Sequence, residues 1–302
     1  MKKIFLTLYI AFAFFLSIAY SGIIESFPPK TQLLVKLDFE KFKTNEIVSD
    51  IRTKNPFFYE AMRQKFIAET GIDLEDIKTI WLGAIRKNNG IIVIEGNFDP
   101  EKIEKTISAK PENEVIQRSD CRFAVKYPDK HNNNKTSFGA VLDNNTIVAG
   151  TPEIAGEFIK NYSSKENAQD FARKKYLDGG KLLEGVILGV PQDVVAEKPF
   201  LADLDFGHFE IDMTDALNAE LVLDMCDEEQ ADALKKIFEG IITLQKLMKN
   251  KQKVEDKGRK EFFDNLSIYQ TGDKVVVKSK ISVETLRTEL EKKTNGGKKQ
   301  IE

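Results

Sequence analysis

Two stretches of this chain share one pattern, an apolar strand that passes directly into a helix beginning at an aspartate. One is IIVIEGNFDPEKIEKTI (Ile91–Ile107), and the other is LVLDMCDEEQADALKKI (Leu221–Ile237). The aspartates, Asp99 and Asp227, carry the short acceptor side chain that caps free N–H groups at a helix start. Proline favours the first helical position, and Pro100 stands there in the first stretch. A strand joined this closely to a helix is a structural unit, so the pattern constrains the fold and not the chemistry.

The two stretches belong to longer segments that have the same order of elements. Three pairs of positions stand at nearly constant offsets: Trp81 and Phe209 at 128, Asp99 and Asp227 at 128, and Thr151 and Ser282 at 131. The repeated order predicts an α+β fold with two similar modules that arose by internal duplication. Because the strands come in hairpins with helices between them, each module is expected to be a mostly antiparallel sheet with helices on one face.

The predicted boundaries place the first module at residues 22–175, the second at residues 176–294 and a disordered tail at residues 295–302. The alternative to duplication is a chance similarity, because any two strand–helix stretches can be aligned and sequence identity between the two copies is low. The first copy also has an additional strand, CRFAVKY, and a longer helical stretch before the strand that contains Trp81.

Two predicted helices carry apolar residues at helical spacing. In the helix that begins at Pro56 and ends near Gly71, these residues fall at helical spacing: Phe57, Phe58, Ala61, Met62, Phe66 and Ile67. In the helix after Asp227 the corresponding residues are Ala231, Leu234, Phe238, Ile241, Ile242 and Leu244.

The N-terminus has the pattern of a secretory signal peptide at residues 1–21. MKK is a short basic region, an apolar run follows, and Ala19 and Ser21 supply the small residues of a cleavage site before Gly22. The alternative is a retained membrane anchor, since a run of about 20 apolar residues can span a bilayer. The pattern therefore predicts export across the cytoplasmic membrane, to the periplasm or outside the cell. The membrane is a partner only if this segment stays uncleaved.

Charge and cysteine content exclude some functions and leave others open. The chain has a formal net charge of −3, and without the two lysines of the first 21 residues it becomes −5. A mildly acidic protein lacks the basic surface that nucleic acid requires, so no nucleic-acid partner is expected. Cys121 and Cys226 could form a disulfide in an oxidising compartment, although two separate buried thiols are favoured.

Catalytic and cofactor motifs are absent from the sequence. It contains no GxxxxGK[ST], no GxGxxG and no GxSxG, and its two histidines are His131 and His208. His131 lies in a polar loop and is expected to be exposed. His208 stands in DLDFGHFEIDMTD, where His208, Glu210 and Asp212 could hold a divalent cation or act as a carboxylate-based hydrolase site. Alternation along a strand places these three on one face without any function, so a solvated strand face is preferred and no cofactor is expected.

The segments LLVKLDFEKF, LDNNTIVAGTPEIAGEFI and NLSIYQTGDKVVVKSKI, together with the two strand–helix stretches, resemble secreted proteins of bacteria related to planctomycetes and Lentisphaerae. This resemblance implies export and the same architecture, and it brings no catalytic residue, cofactor or substrate.

The leading hypothesis is a non-enzymatic envelope or periplasmic binding protein that presents a sheet face or the groove between modules to another envelope protein or a polymer. The alternatives are a hydrolase with a site near His208, Glu210 and Asp212, and a membrane-anchored structural subunit whose N-terminal helix is uncleaved.

Overall fold

The computed structural model of the protein describes residues 24–86, 89–129, 135–164, 176–177, 179–249 and 257–289. The predicted signal peptide, its Ser21–Gly22 cleavage site, His131 and the predicted tail lie outside these residues.

Twelve strands are present within the described residues. They are β1 Leu33–Asp38, β2 Ile77–Arg86, β3 Asn89–Gly96, β4 Glu114–Ile116, β5 Phe123–Asp129, β6 Lys135–Val141, β7 Thr146–Gly150, β8 Leu183–Ile187, β9 Leu204–Met213, β10 Ala216–Met225, β11 Ser267–Thr271 and β12 Lys274–Ser282. The helices are α1 Phe39–Thr44, α2 Glu46–Lys54, α3 Pro56–Thr70, α4 Pro100–Ser108, α5 Pro152–Ser164, α6 Gln192–Glu197, α7 Glu228–Lys249, α8 Lys257–Asp264 and α9 at residues 283–289.

All twelve strands form one antiparallel sheet in the order β11-β12-β10-β9-β8-β1-β2-β3-β7-β6-β5-β4. The predicted α+β class with mostly antiparallel strands is therefore confirmed. The sheet passes through both predicted modules, which are joined where β1 pairs with β8, with Val35 opposite Gly185. Position 185 requires glycine because a Cβ there would lie 2.2 Å from the Phe209 ring.

The two sides of the β1–β8 junction have corresponding strand orders. From the junction outward, one side runs β1-β2-β3-β7-β6 and the other runs β8-β9-β10-β12-β11. The paired positions correspond only in part: Trp81 lies opposite Val93 and Phe209 lies opposite Leu221, but Trp81 and Phe209 point to opposite faces of the sheet. Both members of the second pair stand 128 positions after those of the first, which is the offset seen in the sequence. The first half has β4 and β5 in addition.

The predicted helix caps are confirmed. The Asp99 carboxylate accepts hydrogen bonds from the backbone N–H groups of Glu101 and Lys102 at 3.1 and 3.2 Å, and Asp227 accepts one from Gln230 at 2.8 Å. Gly71 ends α3 with a φ of 77°, in the left-handed region where glycine has no steric penalty.

The prediction that helices cover one face of each sheet is wrong for the first half. Ile103 of α4 packs on one face, whereas Phe158 of α5 is buried on the opposite face against Val93. The reason is visible in β3, whose continuous apolar run buries Ile91 and Val93 on the α5 side and packs the partly buried Ile94 on the α4 side, as in a strand covered on two sides. In the second half, α7 packs on the same sheet face as α4, through Leu234.

Candidate functional site

The three residues of the predicted site share one face of β9, as strand alternation requires. Glu210 and Asp212 are partly exposed, and the ammonium group of Lys181 lies 3.6 Å from a Glu210 oxygen and 3.9 Å from an Asp212 oxygen. This lysine offsets the repulsion between the two carboxylates. Both carboxylates therefore belong to a surface ion-pair network, which agrees with the preferred interpretation of a solvated strand face.

His208 is held by packing. Its ring stacks on Tyr176 at a centroid distance of 4.4 Å, and its buried Nδ1 has no hydrogen-bond partner. Burial lowers the pKa of His208 below 6.5, against the opposing influence of Asp224, Glu220 and Glu210, while Lys274 lowers it further. The imidazole is therefore neutral at neutral pH, and it contributes mainly an aromatic surface to the sheet.

Metal binding by these residues gains no support from the geometry. Within the residues that the structure describes, no three His, Cys, Asp or Glu side chains come together in an arrangement that could hold a metal ion.

A row of charged residues crosses the middle of the sheet on the same face. It follows the cross-strand pairs through six adjacent strands: Lys278, Glu220, Glu210, Glu184, Lys36 and Trp81. Three carboxylates are thus neighbours, with a lysine at each end of the acidic run. Lys278 lies 2.8 Å from Glu220, and Lys36 lies 3.7 Å from Glu184. Glu184 is only 1% exposed, so the row is buried where β8 meets β1, whereas Glu210, Glu220 and Lys278 remain partly exposed.

A short segment covers the row where β8 meets β1. The Leu177 carbonyl accepts a hydrogen bond from the Lys36 ammonium at 2.7 Å, and the backbone N–H of Lys181 donates to Glu184 at 3.3 Å. The Lys41 ammonium donates to the Gly180 carbonyl. Leu177 is fully buried. Beneath this segment the charged residues are therefore structural. The sheet face that was expected to bind a partner is covered there.

Of the seven large apolar side chains that are exposed in the described residues, three lie on α3. Phe57 is 91% exposed, Phe58 is 51% exposed and Met62 is 46% exposed. We call these three residues the α3 aromatic surface. No residue of α3 is fully buried, although Phe66 packs at the edge of the core on the α4 side. A monomeric protein seldom exposes clustered aromatic side chains unless they bind something.

The orientation of α3 is fixed by polar contacts on its inner side. Arg63 binds Asp73 through two hydrogen bonds of 2.7 and 2.5 Å, which lower the pKa of the Asp73 carboxyl. The Tyr59 hydroxyl donates to Glu75 at 2.5 Å, and burial followed by this bond raises the pKa of Tyr59 to about 12. The Arg52 guanidinium lies 4.3 Å from the Tyr59 ring centre and 2.8 Å from a Glu75 oxygen. These contacts turn the phenylalanines outward.

The charges around the α3 aromatic surface are balanced. Glu60 lies 3.2 Å from Arg63, and Lys65 lies 3.8 Å from Glu69. Helices that bind anionic membranes carry an excess of lysine and arginine on their polar face, and α3 has no such excess.

The two cysteines are free thiols in the structure. Cys121 packs at the edge of the core on the α5 side, whereas Cys226 is exposed and its thiol donates to the Asp203 carbonyl at 3.3 Å. Desolvation raises the pKa of Cys226, and the neighbouring Asp205 carboxylate raises it further. Both thiols are therefore weak nucleophiles at neutral pH.

Sequence reasoning missed the α3 aromatic surface because apolar residues occur on several sides of this helix. The signal that could have found it is the pair Tyr59 and Arg63, one turn apart and able to bind the acidic segment Asp73–Asp76 that follows Gly71.

Comparison with known proteins gives similarity in overall structure alone. No family model matches the chain, and no curated protein matches its sequence. The solved structures that resemble it include crystal forms IV and I of TP0453. Form IV has a TM-score of 0.49 and 8% identity over 92% of this chain and 98% of that one. Form I has a TM-score of 0.47 and 9% identity over 89% and 96%. Within the described residues, no helix is both long enough and apolar enough to cross a membrane.

Proposed function

We propose that this protein is a non-enzymatic binding protein and that the α3 aromatic surface is its contact surface. The observation that carries the proposal is the exposure of Phe57, Phe58 and Met62 on a helix whose polar inner side is fixed by Arg63 and Tyr59. Fixed aromatic side chains lose little entropy on binding, which makes them effective anchors at protein interfaces.

The partner that fits this surface is another protein of the cell envelope. Aromatic side chains and methionine are enriched at the centres of protein interfaces, with charged residues of both signs at the rim. Two ion pairs within α3, Arg63 with Glu60 and Lys65 with Glu69, give such a rim of mixed charge. The acidic residues weigh against an anionic membrane or an acidic polymer as the main partner.

We also propose that the protein is exported and acts in the periplasm or outside the cell. The basic start, the apolar run and the small residues before Gly22 support this, as does the resemblance to secreted proteins of bacteria related to planctomycetes and Lentisphaerae. Mass spectrometry of the protein from its natural host should give a chain that starts at Gly22. A chain that starts at Met1 would support the anchored alternative.

Internal duplication is part of the same proposal. The corresponding strand orders on the two sides of the β1–β8 junction support it.

The hydrolase alternative has no specific observation in its favour. It predicts that His208, Glu210 and Asp212 bind a divalent cation or support turnover. Isothermal titration of the parent and of a variant with all three residues changed to alanine tests the metal, and unchanged binding would reject a site there.

The binding surface is tested by comparing three forms of the protein as immobilised bait with solubilised envelope proteins. The double variant Phe57→Ser/Phe58→Ser should lose a discrete protein that the parent and the control Gln64→Ser both retain. Gln64 is an exposed polar residue of the same helix, so this control separates aromatic loss from a general change in α3. The three baits should unfold at the same urea concentration, because substitution at exposed positions changes stability by about 0.5 kcal/mol or less.

A lipid partner is tested in parallel. Parent protein that sediments with vesicles of phosphatidylethanolamine and phosphatidylglycerol, and loses this ability on Phe57→Ser/Phe58→Ser, would overturn the proposal of a protein partner. Equal retention of all proteins by parent and double variant would overturn the surface itself.

A further inference from the structure

Further exposed apolar side chains lie on α7 and β11, in the other half of the molecule. Leu244 of α7 is 61% exposed, and Ile237 of α7 and Tyr269 of β11 are also exposed. Ile237 and Leu244 stand two turns apart and therefore lie on the same side of α7.

The strand β11 is the end of the sheet, and no other strand pairs with its outer edge within the described residues. Its sequence, SIYQT, has no charged residue and no proline. Native sheets usually protect an edge strand with charge, proline, a bulge or a short length. The opposite edge does so, since β4 has three residues and its Glu114 lies 3.3 Å from Lys126. The β11 edge has none of these protections.

The turn between β11 and β12 determines which backbone groups of β11 point away from β12. Gly272 and Asp273 form a two-residue turn, so the flanking pair of Thr271 and Lys274 is hydrogen-bonded. Because hydrogen-bonded and non-hydrogen-bonded pairs alternate, the backbone N–H and C=O groups of Ile268 and Gln270 point away from β12. They are available to another strand.

Apolar groups lie on both sides of this edge. Tyr269 lies opposite Val276, on the sheet face that carries His208. The helix α7 lies over β11, β12 and β10 on the other face. A strand added to β11 would therefore contact Tyr269 below and approach α7 above.

We propose that β11 pairs antiparallel with β11 of a second copy of this chain, about a two-fold axis at Tyr269. This arrangement places Ser267 opposite Thr271 of the second copy and Ile268 opposite its Gln270, so no like charges meet. A pairing without opposed like charges is needed because the chain has a net charge of −3, so two copies repel each other. The same two-fold operation brings the two Tyr269 rings together, as an isologous interface requires.

The experiment is a concentration series by sedimentation velocity, with three forms of the purified protein. The parent should shift from monomer to dimer as concentration rises. Tyr269→Lys should weaken the dimer at least about tenfold, because it places two lysines against each other at the axis. Gln64→Lys adds the same charge on α3 and should leave the dimer unchanged.

Hydrogen exchange of the parent keeps the test valid if Tyr269→Lys fails to fold. The amides of Ile268 and Gln270 should exchange more slowly at high than at low protein concentration. A parent that stays monomeric, a dimer that Tyr269→Lys does not weaken, or exchange at these amides that is independent of concentration would each overturn the proposal. The α3 aromatic surface is not involved, so failure here leaves the proposed function standing.

Discussion

Lys36 and Glu184 form an ion pair at the junction of the two halves, and removing only the lysine should destabilise the protein strongly. Glu184 is almost completely buried, and the Lys36 ammonium is its cation at 3.7 Å. In Lys36→Met the carboxylate stays in the interior without this cation. Breaking a buried pair from one side costs about 3–5 kcal/mol, so we expect a loss of that size in the free energy of unfolding.

The double variant Lys36→Met/Glu184→Leu should recover much of this loss. An apolar replacement of a buried pair is often neutral, because the cost of desolvating two charges disappears with them. Both variants lose the hydrogen bond from Lys36 to the Leu177 carbonyl. Their difference in stability therefore reports on Glu184 alone.

Urea unfolding followed by tryptophan fluorescence measures both variants. Trp81 is the single tryptophan of the chain, it is buried, and its ring lies 5.3 Å from the Lys36 ammonium. The control is Lys30→Met, which removes a solvent-exposed pair with Glu153 and should leave the midpoint unchanged. A double variant that is no more stable than Lys36→Met would refute the reasoning.

Three further predictions concern protonation, backbone conformation and the core. The pKa of His208 is lowered by burial, so the unfolded chain takes up its proton first as pH falls below 6.5, and stability falls by about 1.4 kcal/mol for each unit of the shift. His208→Gln should remove this part of the loss between about pH 7 and about pH 5, whereas His131→Gln should not, as urea midpoints across this range would show. Gly71→Ala should lower the free energy of unfolding by about 2 kcal/mol, because φ is 77° and a Cβ would lie 2.8 Å from the Ile103 Cα; an unchanged midpoint would contradict this strain. Phe158→Ala should cost about 3–5 kcal/mol in the same assay, since the ring is fully buried, and a cost below about 1 kcal/mol would mean that α5 does not cover the sheet.

Local signals in the sequence were sufficient for the helix caps and for the helix end at Gly71. Asp99, Asp227 and Gly71 act through their immediate neighbours, and so their roles could be read without tertiary information. The constant offset between Trp81 and Phe209 did not extend to the sheet faces, because the two side chains point to opposite sides, and a shift of one residue reverses the face of every side chain in a strand.

Features that depend on contacts distant in sequence could not be predicted. The antiparallel pairing of β1 with β8 joins segments about 150 residues apart, and neither strand carries a signal for the other. The outward direction of Phe57 depends on Arg63 reaching Asp73 and on Tyr59 reaching Glu75, which a count of apolar residues along α3 cannot show. The presence of helices on both faces of the sheet was indicated in the sequence only by the unbroken apolar run of β3.

The central claim is that the α3 aromatic surface contacts a protein partner, and photo-crosslinking in the natural host tests it most directly. The crosslinking amino acid p-benzoylphenylalanine replaces Phe57 in one form of the protein and Thr136, an exposed residue of β6, in the other. Irradiation of intact cells should give one discrete protein adduct from position 57 that is absent from position 136. The same adducts from both positions, or no protein adduct from position 57, would contradict the account.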